Sequence, residues 1–285
     1  VIIRELYELP GVSFGPLIDS FQDYNIKNKR ILGLLKGLPP AVSKSILNTG
    51  AGVEVEIEGV GDAKELAGWN IVPDHSLRNQ GAEYVSKVGK RVHNLYPMLE
   101  QLFSHARAAG WQTSDRTSIH VHINTQNITM EQLNSLVILY TIFERSLFTF
   151  ACDERRSNIF CVPLEYCMTV GNHSMRHLVD NTAKYAAMNL HAVREKGTVE
   201  FRQMSTSFDE EKVFLWVLLL ALIKRAAAHF PLIDIKAEVK QLKFSSDYDN
   251  FLQKVFYTFS ELLTYKQKDI DAAVSDSKLF FFGDN

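Results

Sequence analysis

From Val53 to Glu58 the chain alternates without a break. Val53, Val55 and Ile57 are apolar, Glu54, Glu56 and Glu58 are acidic, and Gly59 ends the run. A strict period of two marks a β-strand with one buried face. The same period lines three carboxylates along the other face. Like charges held side by side on a strand repel unless a cation lies between them. Any fold for this chain must dispose of that row of negative charge.

Two later segments share the arrangement. His120 and His122 flank Val121 in a predicted strand over Ile119 to Asn124, and Glu200 and Arg202 flank Phe201 in another over Thr198 to Met204. Val55, Val121 and Phe201 would face the core. Each strand alone also reads as an ordinary sheet edge with its polar side in water. Together, two carboxylates, two imidazoles and a carboxylate–guanidinium pair suggest more. Carboxylate oxygens suit a hard divalent ion such as Mg²⁺ or Mn²⁺, and an imidazole is tolerated beside them. An arginine next to such ions is a natural clamp for phosphoryl oxygens. His120-Val121-His122 would also serve zinc hydrolysis. Against that, the pair comes late, regular strand–helix alternation is absent, and the Glu-x-Glu strand stays unexplained. No G-x-x-x-x-G-K-[ST] occurs, and Gly50, Gly52, Gly59 and Gly61 do not form G-x-G-x-x-G.

Helical spacing covers Val85 to Ala109, with Val88, Val92, Leu95, Leu99, Leu102 and Phe103 on one face and Gly110 as the stop. Thr129 and Gln132 have capping-box spacing ahead of a helix running to Phe150. Asp209 is placed to cap an apolar helix from Lys212 to Phe230. A last amphipathic helix is expected over Tyr248 to Leu263. Strands and long helices interleave irregularly, which predicts an α+β fold: a mostly antiparallel sheet with helices on one face. Residues 1–48 read as an N-terminal extension, with Pro39-Pro40 stopping a helix through Ile31 to Leu35. Residues 49–285 read as one domain with a helical C-terminal tail that carries Phe280, Phe281 and Phe282.

Length and composition agree. The 285 residues are 46% hydrophobic and carry 31 basic against 33 acidic side chains, enough for a full core and too balanced for a default nucleic-acid binder. The apolar run Val213 to Ile223 is far shorter than the ~20 residues a membrane span needs. Cys152, Cys161 and Cys167 fit neither a disulfide framework nor a common zinc pattern and are expected as reduced thiols. The chain begins at Val1 without a signal-peptide layout, so no targeting segment is expected.

Six segments in order resemble the amidoligases of the glutamine synthetase and glutamate–cysteine ligase superfamily, many of them encoded by phages and bacteria. They are Gly52-Val53-Glu54-Val55-Glu56; Asp74-His75-Ser76-Leu77 with Gly81-Ala82-Glu83-Tyr84-Val85-Ser86; His120-Val121-His122-Ile123; Arg156-Ser157-Asn158-Ile159-Phe160-Cys161-Val162-Pro163; Tyr185-Ala186-Ala187-Met188-Asn189-Leu190; and Gly197-Thr198-Val199-Glu200-Phe201-Arg202. The likeness covers residues 50 to 220. Ser118-Ile119 stands where relatives often have a small pair, and Ser205-Thr206-Ser207 where they often have Gly-Thr.

The resemblance implies a curved antiparallel sheet with helices on its convex face and nucleotide and metal on its concave face. It implies an ATP- and Mg²⁺-dependent carboxylate–amine ligase, holding two or more ions of Mg²⁺ or Mn²⁺ and acting through an acyl phosphate. Glu54, Glu56, Glu83, Glu200 and His120 would hold metal. Arg202, Glu200 and His122 would be catalytic. Arg202, Arg156, Asn189 and His120 would contact the nucleotide or its phosphates, and Asp74 and Ser76 would shape the mouth. The substrates would be a carboxylate and an amine, with a peptide or protein among the candidates, in the cytoplasm of a bacterial host. No nucleic-acid or membrane partner is expected, and a protein partner would meet residues 1–48 or the tail. The rival from another class is a non-catalytic module of a viral or multi-protein assembly that keeps the fold. A phosphotransferase is a further rival.

Overall fold

A computed structural model describes residues 29–61, 63–87, 90–167 and 175–282. Two short helices, α1 (Lys29–Gly37) and α2 (Pro40–Leu47), precede strand β1 (Ala51–Ile57). Strands β2 (Trp69–Pro73) and β3 (Ala82–Ser86) lead to helix α3 (Val92–Ala109) and strand β4 (Ser118–Asn124). Helix α4 (Met130–Ala151) and the short helices α5 (Leu164–Cys167) and α6 (Met175–Asn181) follow. Strand β5 (Met188–Asn189), helix α7 (His191–Lys196) and strand β6 (Thr198–Ser205) complete the sheet. The rest is helical: α8 (Glu210–His229), α9 (Leu232–Gln241), α10 (Ser245–Phe256) and α11 (Gln267–Phe282).

The six strands form one sheet in the order β2-β3-β1-β4-β6-β5, every neighbouring pair antiparallel. The α+β class read from the sequence is therefore what the chain adopts. Val53, Val55, Ile57, Ile119, Val121, Ile123, Val199 and Phe201 are all buried in one core with α3, α4 and α8. Of their alternate neighbours, Glu54, Glu56, Ser118, His120, Glu200 and Arg202 face a cavity on the opposite side. Period two in the sequence has become a two-sided sheet, apolar under the helices and ionisable on the open face.

Local signals hold the helices where expected. Thr129 Oγ1 accepts from Gln132 N–H, and Gln132 returns the bond to Thr129 N–H, the reciprocal cap of α4. The Asp209 carboxylate accepts from Lys212 N–H at the start of α8. Gly110 ends α3 in the left-handed region at φ 71°. Among the described residues no single helix is long and apolar enough to cross a membrane. The apolar run of α8 is instead buried in the core from Val213 to Lys224.

Two expectations are corrected. The helix read over Val85 to Ala109 begins only at Val92. Val85 lies in β3, paired with Glu54 of β1, and Val88 lies outside the described residues. Ala82, Tyr84 and Ser86 point to the same side of a strand, so sheet pairing overrides the helical spacing. The helix expected over Tyr248 to Leu263 is split. Helix α10 stops at Phe256, Tyr257 takes φ 52°, and a 3₁₀ segment runs from Tyr257 to Leu262. The tail forms a further helix, α11, and the side chains of Phe280 to Phe282 lie outside the described residues.

Within residues 1–48, α1 ends just before Pro39-Pro40 and α2 starts on Pro40. Ile31, Leu34, Leu35, Leu38, Val42, Ile46 and Leu47 all belong to the main core. Residues 1–28 lie outside the described residues. Cys152, Cys161 and Cys167 are free thiols, and burial pushes Cys161 up to about 12.

Candidate metal and catalytic centre

The sheet register assembles the site. Glu83 on β3 stands opposite Glu56 on β1, and Glu54 on β1 opposite His120 on β4. A third rung runs Gly52, His122, Glu200 and Asn189 across β1, β4, β6 and β5. Residues more than a hundred positions apart in sequence thus come within side-chain reach.

The register shifts between β4 and β6. Ile119 pairs with Met204, whereas Val121 pairs with Phe201, so β6 carries one extra residue beside His120. This bulge falls at Arg202-Gln203, and it re-aims the strand at the point where the guanidinium enters the site. Arg202 is held there on both sides of its backbone. Its N–H donates to the Ala187 carbonyl, and its carbonyl accepts from Arg155 Nε at 3.2 Å.

The open face floors a cavity of about 590 Å³. Glu54, Glu56, Glu83, His120, Glu200, Arg202 and Asn189 line it, with Asp74, Ser76 and Arg116 on one side and Phe160, Lys184 and Tyr185 on another. A second cavity of similar volume adjoins it beyond Glu54 and Lys196. Its wall includes Gly50, Gly52, Lys87, Lys90, His122 and Thr198. Glu54 and Lys196 belong to both.

Among the described residues, two groups could hold a metal ion. One joins Glu54, Glu83 and His120, the other Glu54, His122 and Glu200, each with ligand atoms within 4.8 Å of one another. His120 Nδ1 lies 3.4 Å from Glu54 Oε2 and 3.5 Å from Glu200 Oε1. His122 Nδ1 bonds Thr198 Oγ1 at 2.9 Å, which fixes the ring. Its buried Nε2 is 3.1 Å from Glu54 Oε1 yet makes no hydrogen bond. Lys196 Nζ donates to Glu54 Oε1 at 3.0 Å.

The electrostatics fit a cation. Burial raises the Glu54 carboxyl, but the His120 hydrogen bond and the charge of the nearby His120 and His122 rings outweigh it and hold the group well below the ordinary carboxylate range. Glu200 is also lowered: His120, Arg202 and His122 overcome its burial, and Asn189 adds a hydrogen bond. Glu83 goes the other way. Burial and the nearby Glu54, Glu56 and Asp74 push it up to about 8 against the pull of Lys196. A pocket of oxygen donors with excess negative charge and an unbonded imidazole nitrogen is the donor set a hard divalent ion takes.

The other expected site residues fall as follows. Glu56 Oε2 accepts from Ser118 N–H at 2.7 Å and from Ser118 Oγ at 2.6 Å, while Ser118 Oγ also meets His120 Nε2 at 2.9 Å. One Glu56 oxygen is thus spent on positioning Ser118 and His120. Glu58 does not line the cavity; its carboxylate accepts from Arg78 N–H. Asn189 lines the cavity, but both ends of its amide are used. Nδ2 donates to Glu200 Oε2 at 2.7 Å and Oδ1 accepts from His191 N–H, so it orients Glu200 and keeps a second N–H and a second lone pair.

Arg156 stands apart from this group. It does not line the cavity. Its guanidinium donates to the Arg145 carbonyl, stands 3.9 Å from Asp269 on α11 and lies over the Phe148 ring. Of the adjacent pair, Arg155 is the one tied to the site, through the Arg202 carbonyl.

Sequence reasoning missed Lys196, Arg116 and Lys184. Lys196 closes α7 and meets Glu54 from 142 positions away, a contact no local pattern announces. The adjoining Gly197 (φ 68°) lets the chain turn into β6, and a Cβ there would strike the Gln126 side chain.

No curated protein matches the chain significantly. A protein-family model described as "putative amidoligase enzyme" matches residues 44–223, a span that holds all six strands and every residue of the cavity floor. That match covers more than half of the chain, which belongs to the amidoligase family.

Proposed function

We propose that the chain is an ATP- and Mg²⁺-dependent carboxylate–amine ligase that makes an amide or isopeptide bond. The observation that carries this reading is the convergence of Glu54, Glu83, Glu200, His120 and His122 around Arg202 on one face of the sheet. Two cavities meeting at Glu54 suit a reaction that brings separate substrates to one centre.

Glu54, Glu83 and His120 would hold one ion and Glu54, His122 and Glu200 another, with the free oxygen of Glu56 available beside them. Bound Mg²⁺ supplies charge neutralisation for a triphosphate and polarises the phosphoryl group in transfer. The chain's own residues do the rest by positioning. Arg202, braced by Glu200 on one side and by the Phe160 carbonyl on the other, presents its guanidinium to equatorial phosphoryl oxygens. Asn189 keeps Glu200 in place, and Ser118 keeps His120 in place.

In the balanced reaction, a substrate carboxylate oxygen attacks the γ-phosphorus of ATP and ADP leaves. The nitrogen of a neutral amine then attacks the acyl carbon of the acyl phosphate. Inorganic phosphate departs and the nitrogen loses a proton.

Glu54→Gln and Glu200→Gln should each abolish Mg²⁺-dependent ATP turnover, read as ADP release, while circular dichroism stays native. Unchanged turnover in both variants removes the site assignment.

A further inference from the structure

We infer that Phe160 and Tyr185 form a specificity lip that selects a carboxylate substrate with a ring or apolar group next to its reacting carboxyl. This rests on the ligase reading above. The two rings meet edge to face at 5.3 Å between centroids. Both line the cavity, yet they remain 44% and 42% exposed, and the neighbouring Ile159 is 73% exposed. Apolar groups of this size are seldom left in water at the mouth of a charged pocket without an occupant.

The lip is tied to Arg202. The Phe160 carbonyl accepts from Arg202 Nε at 3.3 Å, and the Arg202 guanidinium carbon is 5.8 Å from the Tyr185 ring centroid. Lys184 Nζ lies at the same distance from that ring. A ligand seated on the lip therefore touches apolar surface and cations together, which is the chemistry of a carboxylate on an apolar body.

The position also decides between occupants. In ATP the base is separated from the transferred phosphorus by the ribose and two further phosphates. A ring beside the guanidinium that clamps that phosphorus is on the acceptor's side of the reaction. The acid must bring its carboxyl to the same phosphorus, so its substituent falls on the lip. The other lining groups, Asp74, Ser76 and Arg116 among them, are mainly polar.

The test is saturation-transfer NMR and calorimetry on the full chain with Mg²⁺ and a non-hydrolysable ATP analogue. The probes are N-acetylphenylalanine and N-acetylalanine. The aromatic acid should bind about tenfold more tightly, the scale of one good ring contact. Tyr185→Ser and Phe160→Ser should erase the preference, and Tyr185→Phe should keep it. Affinity for the nucleotide analogue, measured in parallel, should not change in any of the three. Equal binding of both acids, with the nucleotide bound, overturns the lip and leaves the ligase reading standing. A loss confined to nucleotide affinity in Tyr185→Ser assigns the ring to the base and also overturns it. Failure of the nucleotide to bind to the wild-type chain defeats the ligase reading, and this inference with it.

Discussion

Glu144 and Glu83 are both carboxyls made weaker acids by burial, to about 7 and about 8, but they lie on opposite sides of the sheet. Glu144 sits in α4 under the helices. It accepts hydrogen bonds from Tyr140 Oη at 2.9 Å and Leu164 N–H at 2.7 Å, and these donors pull the carboxyl back towards the ordinary range against its burial. Glu83 faces the cavity among Glu54, Glu56 and Asp74, and these neighbours add repulsion to its burial. Glu144 is met by donors of the protein itself. The open side leaves its charge for a ligand to solve, as a binding centre must.

The largest effect should come from the helical side. Phe143 packs on Tyr248, Phe251 and Phe256, joining α4 to α10. Phe143→Ala should cost about 3–5 kcal/mol in urea unfolding, with Mg²⁺ present or absent. A cost that vanishes with Mg²⁺ would mean that the two sides are not separate. The open side should respond the other way. Glu54→Gln should cut ATP turnover by about 10²–10³-fold, the loss expected for one strong electrostatic element of a site. For Glu83→Gln the metal-free melting temperature above pH 8 should hold or rise, because a repelled charge is removed.

The pH dependence of stability sharpens the contrast. The Glu144 carboxyl has a higher pKa folded than unfolded, so the folded state binds more protons between the two values. Its contribution is fully present below about 4.5 and is lost as pH rises through about 7. The cost approaches ~3 kcal/mol above that point. Glu144→Gln should reduce the fall in unfolding free energy between pH 5 and pH 8, since the amide oxygen can still accept both bonds; the part that remains belongs to Glu83. A slope as steep as wild type would locate the titrating group elsewhere. The smallest effect belongs to a cap: Thr129→Ala should cost about 1 kcal/mol and leave Mg²⁺ binding unchanged.

Much of the open face was legible because strand periodicity is local. Alternation alone put Glu54, His120, His122, Glu200 and Arg202 on one surface, and resemblance added Glu83. What stayed hidden depends on register and bulges. The extra residue of β6 at Arg202-Gln203 leaves no mark on the pattern. Neither does the pairing of Lys196 with Glu54. Arg155 and Arg156 are adjacent and chemically alike, and only the packing of α11 through Asp269 turns Arg156 away. Val85 to Ala109 misled because β3 and α3 follow each other with apolar residues at spacings that suit a helix.

The most direct measurement is calorimetric titration of a non-hydrolysable ATP analogue, with and without Mg²⁺, into the wild-type chain and Glu54→Gln. The account predicts binding that requires Mg²⁺ and is lost in the variant. Binding indifferent to both, or none at millimolar nucleotide, contradicts it and leaves the fold serving as a non-catalytic module.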